Sequence, residues 1–323
     1  MSRCHRRWPR WKRPSSPESL RIVAPATSAN LGPGFDALAL ALDLTNEVIV
    51  TRRPGPLEVH VTGEGAGEVP ESADNLVCLA MSQGLDSLDG YIVECNNRIP
   101  LGRGLGSSAA AACAGLVAAN ALGAHRWAPD ELLRRAGEIE GHADNAGACI
   151  FGGIVAVGPG TRAVQISVPD ELLFVAVVPR ERVSTATARG ALPAEVPHAD
   201  AVDTLARAIG LVIALERGEL DDLPVLLQDR LHEPYRAPLV PGIEHLRDLC
   251  GDCGCLGVTI SGSGPTMLLW CRRADAAAVA ARASAVLNDA GIGADVSVLR
   301  VAPGGVRARW VEGPDTRLAK AVG

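Results

Sequence analysis

The chain has 323 residues, 47% hydrophobic and 21% charged, a composition that fits about two folded domains of ~100 to 200 residues each and excludes a disordered or fibrous protein. The formal net charge is −6, but residues 1–20 hold six Lys or Arg against one Glu, so the rest carries 25 basic against 36 acidic residues and excludes a nucleic-acid groove across the body. The N-terminal tail lacks the apolar run of a signal peptide, no uninterrupted 18-residue apolar stretch follows, and nine scattered cysteines read as reduced thiols, so the expectation is a cytoplasmic protein with no membrane partner.

Residues 1–20 read as a disordered basic extension. Over 21–62 the stretches RIVAPATSANLG, NEVIVTRR and LEVHVTG place β-branched residues at period two, which predicts the start of a mixed sheet. Within them SANLGPGFD, Ser28 to Asp36, is too polar and glycine-rich for an element interior and reads as a loop. Asn75 to Leu85 has helical spacing, and YIVECNNRI, Tyr91 to Ile99, reads as a strand that leads into PLGRGLGSSAAAACAG, Pro100 to Gly115. There the chain passes into a helix over Ser107–Leu122, alanine-rich and closed by Gly123.

A further helix is expected over Pro129–Glu140, with an apolar stripe of Leu132, Leu133, Ala136 and Ile139. At about 100° per residue Glu140 falls inside that stripe and Glu138 almost opposite it. A carboxylate there is either an edge residue snorkelling to water or a ligand turned inward. Strands resume at LLFVAVVP, Leu172 to Pro179, with a domain boundary near 165–190 and helical patterns at 201–228 and 241–250. Cys250, Cys253 and Cys255 resemble half a zinc site, but no second cysteine pair follows at ribbon spacing. LGVTISGSGPTMLLWC reads as strand, Gly/Ser turn and strand, followed by a helix over Ala274–Ala290 and a last strand at ADVSVLRV.

GRGLGSS is neither a dinucleotide fingerprint, since position 107 is Ser, nor a Walker loop, since no Lys follows its last Gly. What remains is a loop whose N–H groups face a cavity at a helix N-terminus, suited to a phosphate-type anion, with Ser107 or Ser108 available to Mg²⁺. A turn that merely closes a strand-helix corner is the alternative. SANLGPGFD and SGSGPT, Ser261 to Thr266, add two more glycine-serine segments, and three in one chain point to one site.

In this order the three segments resemble the motifs of the GHMP kinases, an APxxxNLGxGFD-type start, a central PxGxGLGSSAA and a late SGSGPT, over residues 21–300. Within that superfamily APATSANLGPGFD, EGHADN at 140–145, STATAR at 184–189 and HEPYR at 232–236 are most similar to the homoserine kinases. The resemblance implies two α+β domains. Residues 21–170 would form an ATP-binding domain with a mixed sheet and a left-handed βαβ crossover, residues 171–310 a ferredoxin-like domain, and 311–323 a tail. The implied reaction moves the γ-phosphoryl of ATP to the side-chain hydroxyl of L-homoserine.

The resemblance also assigns residues. ATP would lie on Pro100, Leu101, Gly102, Arg103, Gly104, Leu105, Gly106, Ser107, Ser108, Ala109 and Ala110, with Asn75, Ser261, Gly262, Ser263 and Gly264. Mg²⁺ would sit on Ser108 and Glu140, with Glu138 as the fallback. Arg189 and Arg236 would hold the substrate carboxylate, and Asn30 and Asp36 its ammonium. His142, Asp144, Asn145 and Thr185 would surround the reacting hydroxyl. Several GHMP relatives use an aspartate base near the position of Asn145, and an amide cannot take a proton, so positioning alone and Asp144 as base are both open. Where the family commonly continues DNVAPA, this chain has DNAGAC. Rival readings are another GHMP kinase, acting on mevalonate, shikimate or a sugar, and a non-catalytic ATP- or partner-binding protein. Family members are often homodimers, but the sequence marks no interface.

Overall fold

A computed structural model describes residues 18–123, 125–158 and 162–312. Most of the expected basic extension and of the 311–323 tail lies outside these residues. Strands β1 (Glu18–Asn30) and β2 (Gly34–Arg52) form a long antiparallel hairpin. SANLGPGFD is therefore mainly strand rather than loop: only 31–33 turn, with Asn30, Leu31 and Gly32 at positive φ. After β3 (Glu58–Gly63) comes α1 (Leu76–Met81), shorter than the expected 75–85, and β4 (Tyr91–Asn97), which pairs parallel with β3 and antiparallel with β2.

Helices α2 (Ser107–Leu122) and α3 (Pro129–Glu140) fall where periodicity and capping place them. Almost all of α2 is buried, as a helix apolar on every side must be. Its small residues permit close contact: a Cβ on Gly115 would come 2.3 Å from the Val77 carbonyl oxygen of α1. Helix α4 (Asp144–Phe151) and strands β5 (Ile154–Gly158) and β6 (Arg162–Ile166) complete this unit, β5 pairing with β2. None of these three is predicted from the sequence, because the run is glycine- and alanine-rich without clear period.

The second unit starts with β7 (Leu172–Pro179), then α5 (Thr185–Gly190), α6 (His198–Arg217), α7 (Leu223–Leu226), α8 (Glu233–Arg236) and α9 (Ile243–Arg247). It ends with β8 (Cys255–Ile260), β9 (Met267–Arg272), α10 (Ala276–Asp289) and β10 (Ala294–Leu299). The sheet order β10-β7-β9-β8, all antiparallel, is the ferredoxin-like arrangement. Every residue of β7 is buried because both faces are covered. Leu172, Phe174, Ala176 and Val178 join the main core, while Leu173, Val175 and Val177 join a second core with α9 and α10.

The last strand, β11 (Arg307–Glu312), returns to pair with β1 in the first sheet. The expected second domain of 171–310 is corrected accordingly: its sheet ends at Leu299, and the following residues close the N-terminal unit. The expected extension of 1–20 is corrected too, since β1 already begins at Glu18.

Candidate active site

The three glycine-serine segments meet at one cleft of about 320 Å³. Gly102, Gly104 and Gly106 all have positive φ, and the last two allow contacts a side chain would block. A Cβ on Gly104 would stand 2.3 Å from the Ser261 carbonyl oxygen, and one on Gly106 would stand 1.9 Å from Thr27 Oγ1. Backbone bonds lock the same segments together: Thr27 N–H donates to Leu105 O (3.0 Å), Gly262 N–H to Ala29 O (3.1 Å) and Thr266 N–H to Arg103 O (3.2 Å). The buried Ser261 hydroxyl lies 2.6 Å from Gly104 O and 2.8 Å from Ser28 Oγ. At this junction α2 begins, with Ser107 and Ser108 in its first turn, where N–H groups lack intrahelical partners and the helix dipole favours an anion.

Beside the loop, Ser108 Oγ donates to Glu140 Oε1 at 2.6 Å. Glu140 thus faces the cleft from the end of α3, whereas Glu138 points outward and pairs with Arg134. A hydroxyl and a carboxylate at the mouth of a phosphate loop are hard oxygen donors, the set Mg²⁺ takes together with substrate phosphates. No group of three or more His, Cys, Asp or Glu among the described residues forms an all-protein metal cage.

The N-terminus of α4 supplies the next wall. Asp144 is 3% exposed; its Oδ1 accepts from His142 Nδ1 (2.8 Å) and from the Asn145 N–H (2.7 Å). The bond to Asp144 holds the His142 imidazole above its ordinary pKa, against the effect of burial. Asn145 Oδ1 accepts from Thr27 Oγ1 at 2.8 Å, so the amide is fixed from the β1 side.

Another part of the wall is ionic. Arg236, on α8, is 3% exposed, donates to Gly262 O at 2.9 Å and lies 5.2 Å from the Phe35 ring centre. Arg189, on α5, is 44% exposed and stands 3.4 Å from Asp36. Asn30 spans the two loops, donating to Gly262 O (2.9 Å) and accepting from the Asp36 N–H (3.0 Å). Thr185 Oγ1 approaches Ser263 Oγ at 3.5 Å.

The model of the GHMP kinases N terminal domain matches residues 74–153, and that of the GHMP kinases C terminal matches 211–289. The solved homoserine kinase of Cytophaga hutchinsonii superposes with a TM-score of 0.84 at 31% identity, covering 92% of this chain and 99% of its own. A homoserine kinase of Moorella thermoacetica is 39% identical over 258 residues, 78% of this chain and 87% of that protein. One of Streptomyces coelicolor is 44% identical over 264 residues, 77% and 84% of the respective chains. The chain belongs to the homoserine kinase family. It is an ATP-dependent small-molecule kinase of the GHMP type.

In this homoserine kinase relative, most expected site residues share the cleft: Asn30, Asp36, residues 100–109, Glu140, His142, Asp144, Asn145, Thr185, Arg189, Arg236, Gly262 and Ser263. Five do not reach its wall. Asn75 is buried and caps α1, accepting from Val77 N–H and donating to Pro70 O. Ala110 is in the packed body of α2, Ser261 is buried behind the loop, and Gly264 faces Val240 and Ile260. Glu138, the fallback, is on the outer face.

Sequence reasoning missed Thr27, which orients Asn145, and the support behind Arg236. Asp229 Oδ2 accepts the backbone N–H groups of His232 (2.7 Å) and Glu233 (2.8 Å), and His232 Nε2 donates to Gly32 O (2.9 Å). Thr27 was legible as the hydroxyl within ATSAN. Asp229 carried no signal, because its partners are backbone groups brought together only by the fold.

Proposed function

We propose that this cleft transfers the γ-phosphoryl of Mg-ATP to the side-chain hydroxyl of L-homoserine, giving O-phospho-L-homoserine and ADP. The observation that carries the reading is that Arg189, paired with Asp36 at 3.4 Å, and the buried Arg236 line the same cleft as Ser107 and Ser108. Two guanidiniums suit a carboxylate, and the Asp36 carboxylate with the Asn30 amide suits an ammonium, so an amino acid is held by its backbone end. The side-chain hydroxyl then extends towards His142, Asn145 and Thr185.

At the other end the N–H groups of Gly102 to Ser108 and the α2 dipole receive phosphate charge in place of a Walker lysine. Ser108 and Glu140 would hold Mg²⁺, which when bound neutralises charge on the phosphate oxygens. The nucleophile is prepared by position. Asn145 cannot accept a proton, and Asp144 already accepts from His142 and from the Asn145 backbone, which makes it an orienting group. The hydroxyl proton leaves through the transferred phosphoryl oxygens, and barrier lowering rests on alignment, for which about 7 to 11 kcal/mol is attainable.

The test is an ADP-release assay at fixed Mg-ATP with homoserine, mevalonate, shikimate and serine. Homoserine is expected to be the preferred acceptor. Turnover of another acceptor with homoserine inert would overturn the substrate and leave the kinase assignment standing.

A further inference from the structure

The segment CGDCGC, Cys250 to Cys255, joins α9 to β8 and contributes no residue to the wall of the cleft. The chain doubles back there through positive φ at Gly251, Cys253 and Gly254. Gly251 N–H donates to Cys255 O and Cys255 N–H to Asp252 O, both at 3.0 Å. The result is an isolated parallel bridge between Cys250 and Cys255. Neighbouring strands stand about 4.8 Å apart, within the Cα separation of about 4.4 to 6.8 Å that a disulfide spans.

The two thiols adjoin each other, and Cys255 Sγ–H donates to Gly257 O at 3.7 Å. Cys250 is exposed and Cys255 buried. The neighbouring Cys255 thiol, helped by the charge of Arg247, holds the Cys250 thiol below its ordinary pKa, while the neighbouring Cys250 and burial push Cys255 up. An accessible thiolate beside a buried thiol is the division between an attacking and a resolving cysteine. Cys113 and Cys149 also adjoin, but both are at most 1% exposed, so an oxidant cannot reach them.

We propose that Cys250 and Cys255 form a reversible dithiol-disulfide pair that exchanges with oxidised low-molecular-weight disulfides and bears on the substrate wall of the cleft. The Cys250 thiolate attacks one sulfur of the external disulfide, forming a mixed disulfide and releasing one thiolate. Cys255 loses its proton to that thiolate and attacks the Cys250 sulfur, forming the internal bond and releasing the second half. Two electrons pass from the protein pair to the external disulfide, which ends as two thiols.

The pair is wired to the cleft. Cys250 N–H donates to Arg247 O (3.0 Å), and Arg247 Nη2 donates to Glu233 Oε2 (2.8 Å). The other Glu233 oxygen accepts the Ile260 N–H (2.7 Å), next to Ser261 and Gly262, and Arg236 lies one turn beyond Glu233 on α8. A disulfide draws the two sulfurs to about 2.05 Å, which pulls on the end of α9 that carries Arg247. This coupling rests on Arg236 as a substrate ligand; the disulfide itself does not.

The full chain is incubated with oxidised glutathione, quenched in acid, and followed by intact mass, peptide mapping and the homoserine KM. The expected product has lost two hydrogens, mapped to a Cys250–Cys255 bond, with KM raised about 3-fold or more and both changes reversed by dithiothreitol. Cys250→Ser is expected to abolish the bond and Cys253→Ser to leave it. A glutathione adduct that stays on Cys250, or a bond to Cys253, overturns the pair. The mapped disulfide with an unchanged KM overturns its coupling to the cleft. Absence of homoserine turnover in either redox state defeats the proposed reaction while the mass result still decides the pair.

Discussion

At one end of the cleft Gly104 and Gly106 bring backbone against Ser261 and Thr27; at the other, Arg236, Arg189, Asp36 and Asp144 present charge from side chains. The first end is built by removing side chains, so that N–H groups and a helix terminus converge on one anion. The second is built by adding them, each held by its own partners. A backbone-built site has no graded substitutes where a Cβ meets a fixed neighbour, the Ser261 main chain at Gly104 and Thr27 at Gly106. A side-chain site loses one contact at a time. The two ends should therefore fail differently.

The largest expected effect is at the glycine end. Gly104→Ala places a methyl 2.3 Å from a main-chain oxygen at a φ of +82°, which should cost about 2 to 4 kcal/mol of stability and lower kcat/KM by ~10³-fold or more. Gly141, at φ +77°, has open space where its Cβ would go, so Gly141→Ala should cost only about 1 kcal/mol. Denaturant melts and kinetics on both variants decide the matter. Equal losses would mean that φ alone matters and that the interlock of loops does not.

At the charged end, Arg236→Ala should raise the homoserine KM by ~10²-fold, and Arg189→Ala by ~10-fold, because Arg236 is buried and fixed by Gly262 while Arg189 is half in water. Lysine should not rescue position 236, since it lacks the fork that reaches Gly262 O and Ala188 O. A rise confined to the ATP KM would place Arg236 at the wrong end of the cleft.

The same contrast explains what the sequence made legible. Glycine-serine runs cannot sit inside elements unless the backbone is needed there, so the phosphate end showed in the residue types, as did Glu140 through its place on an apolar stripe. Residues 28–30 misled because a polar, small-residue segment in fact continues β1, its Ser28 and Asn30 side chains turned to Ser261 and Gly262 across the sheet end. Residues 300–312 were illegible for a different reason: their pairing with β1 bridges almost the whole chain, and local pattern holds no information about so distant a partner. Asn75, a polar residue assigned to ATP by resemblance, is used by the fold as the cap of α1 and is not among the residues lining the cleft.

Smaller effects separate the groups around the hydroxyl. Asp144→Asn keeps an oxygen that can accept from His142 and from the Asn145 N–H, so kcat should fall only about 10-fold if Asp144 orients. A loss above about 10³-fold would make it a base. Single-turnover measurements, which isolate chemistry from product release, give the cleaner reading.

The smallest expected effect is on stability, and it tests whether the charged end titrates while the glycine end does not. The His142 pKa is raised chiefly by its bond to Asp144, with Glu140 adding and Arg189 opposing. Folding therefore takes up a proton at this ring. Such a contribution is complete below the unfolded value of about 6.5 and is lost as pH rises through the folded value. The stability margin of the wild type over His142→Gln, from denaturant midpoints, should accordingly be larger near pH 6 than near pH 9. The margin of the wild type over Gly104→Ala should stay level across the same range, since neither Gly104 nor the Ser261 carbonyl ionises. A His142 margin that is equally level would mean the imidazole stays neutral in the fold, with Asp144 fixing its tautomer and not its charge.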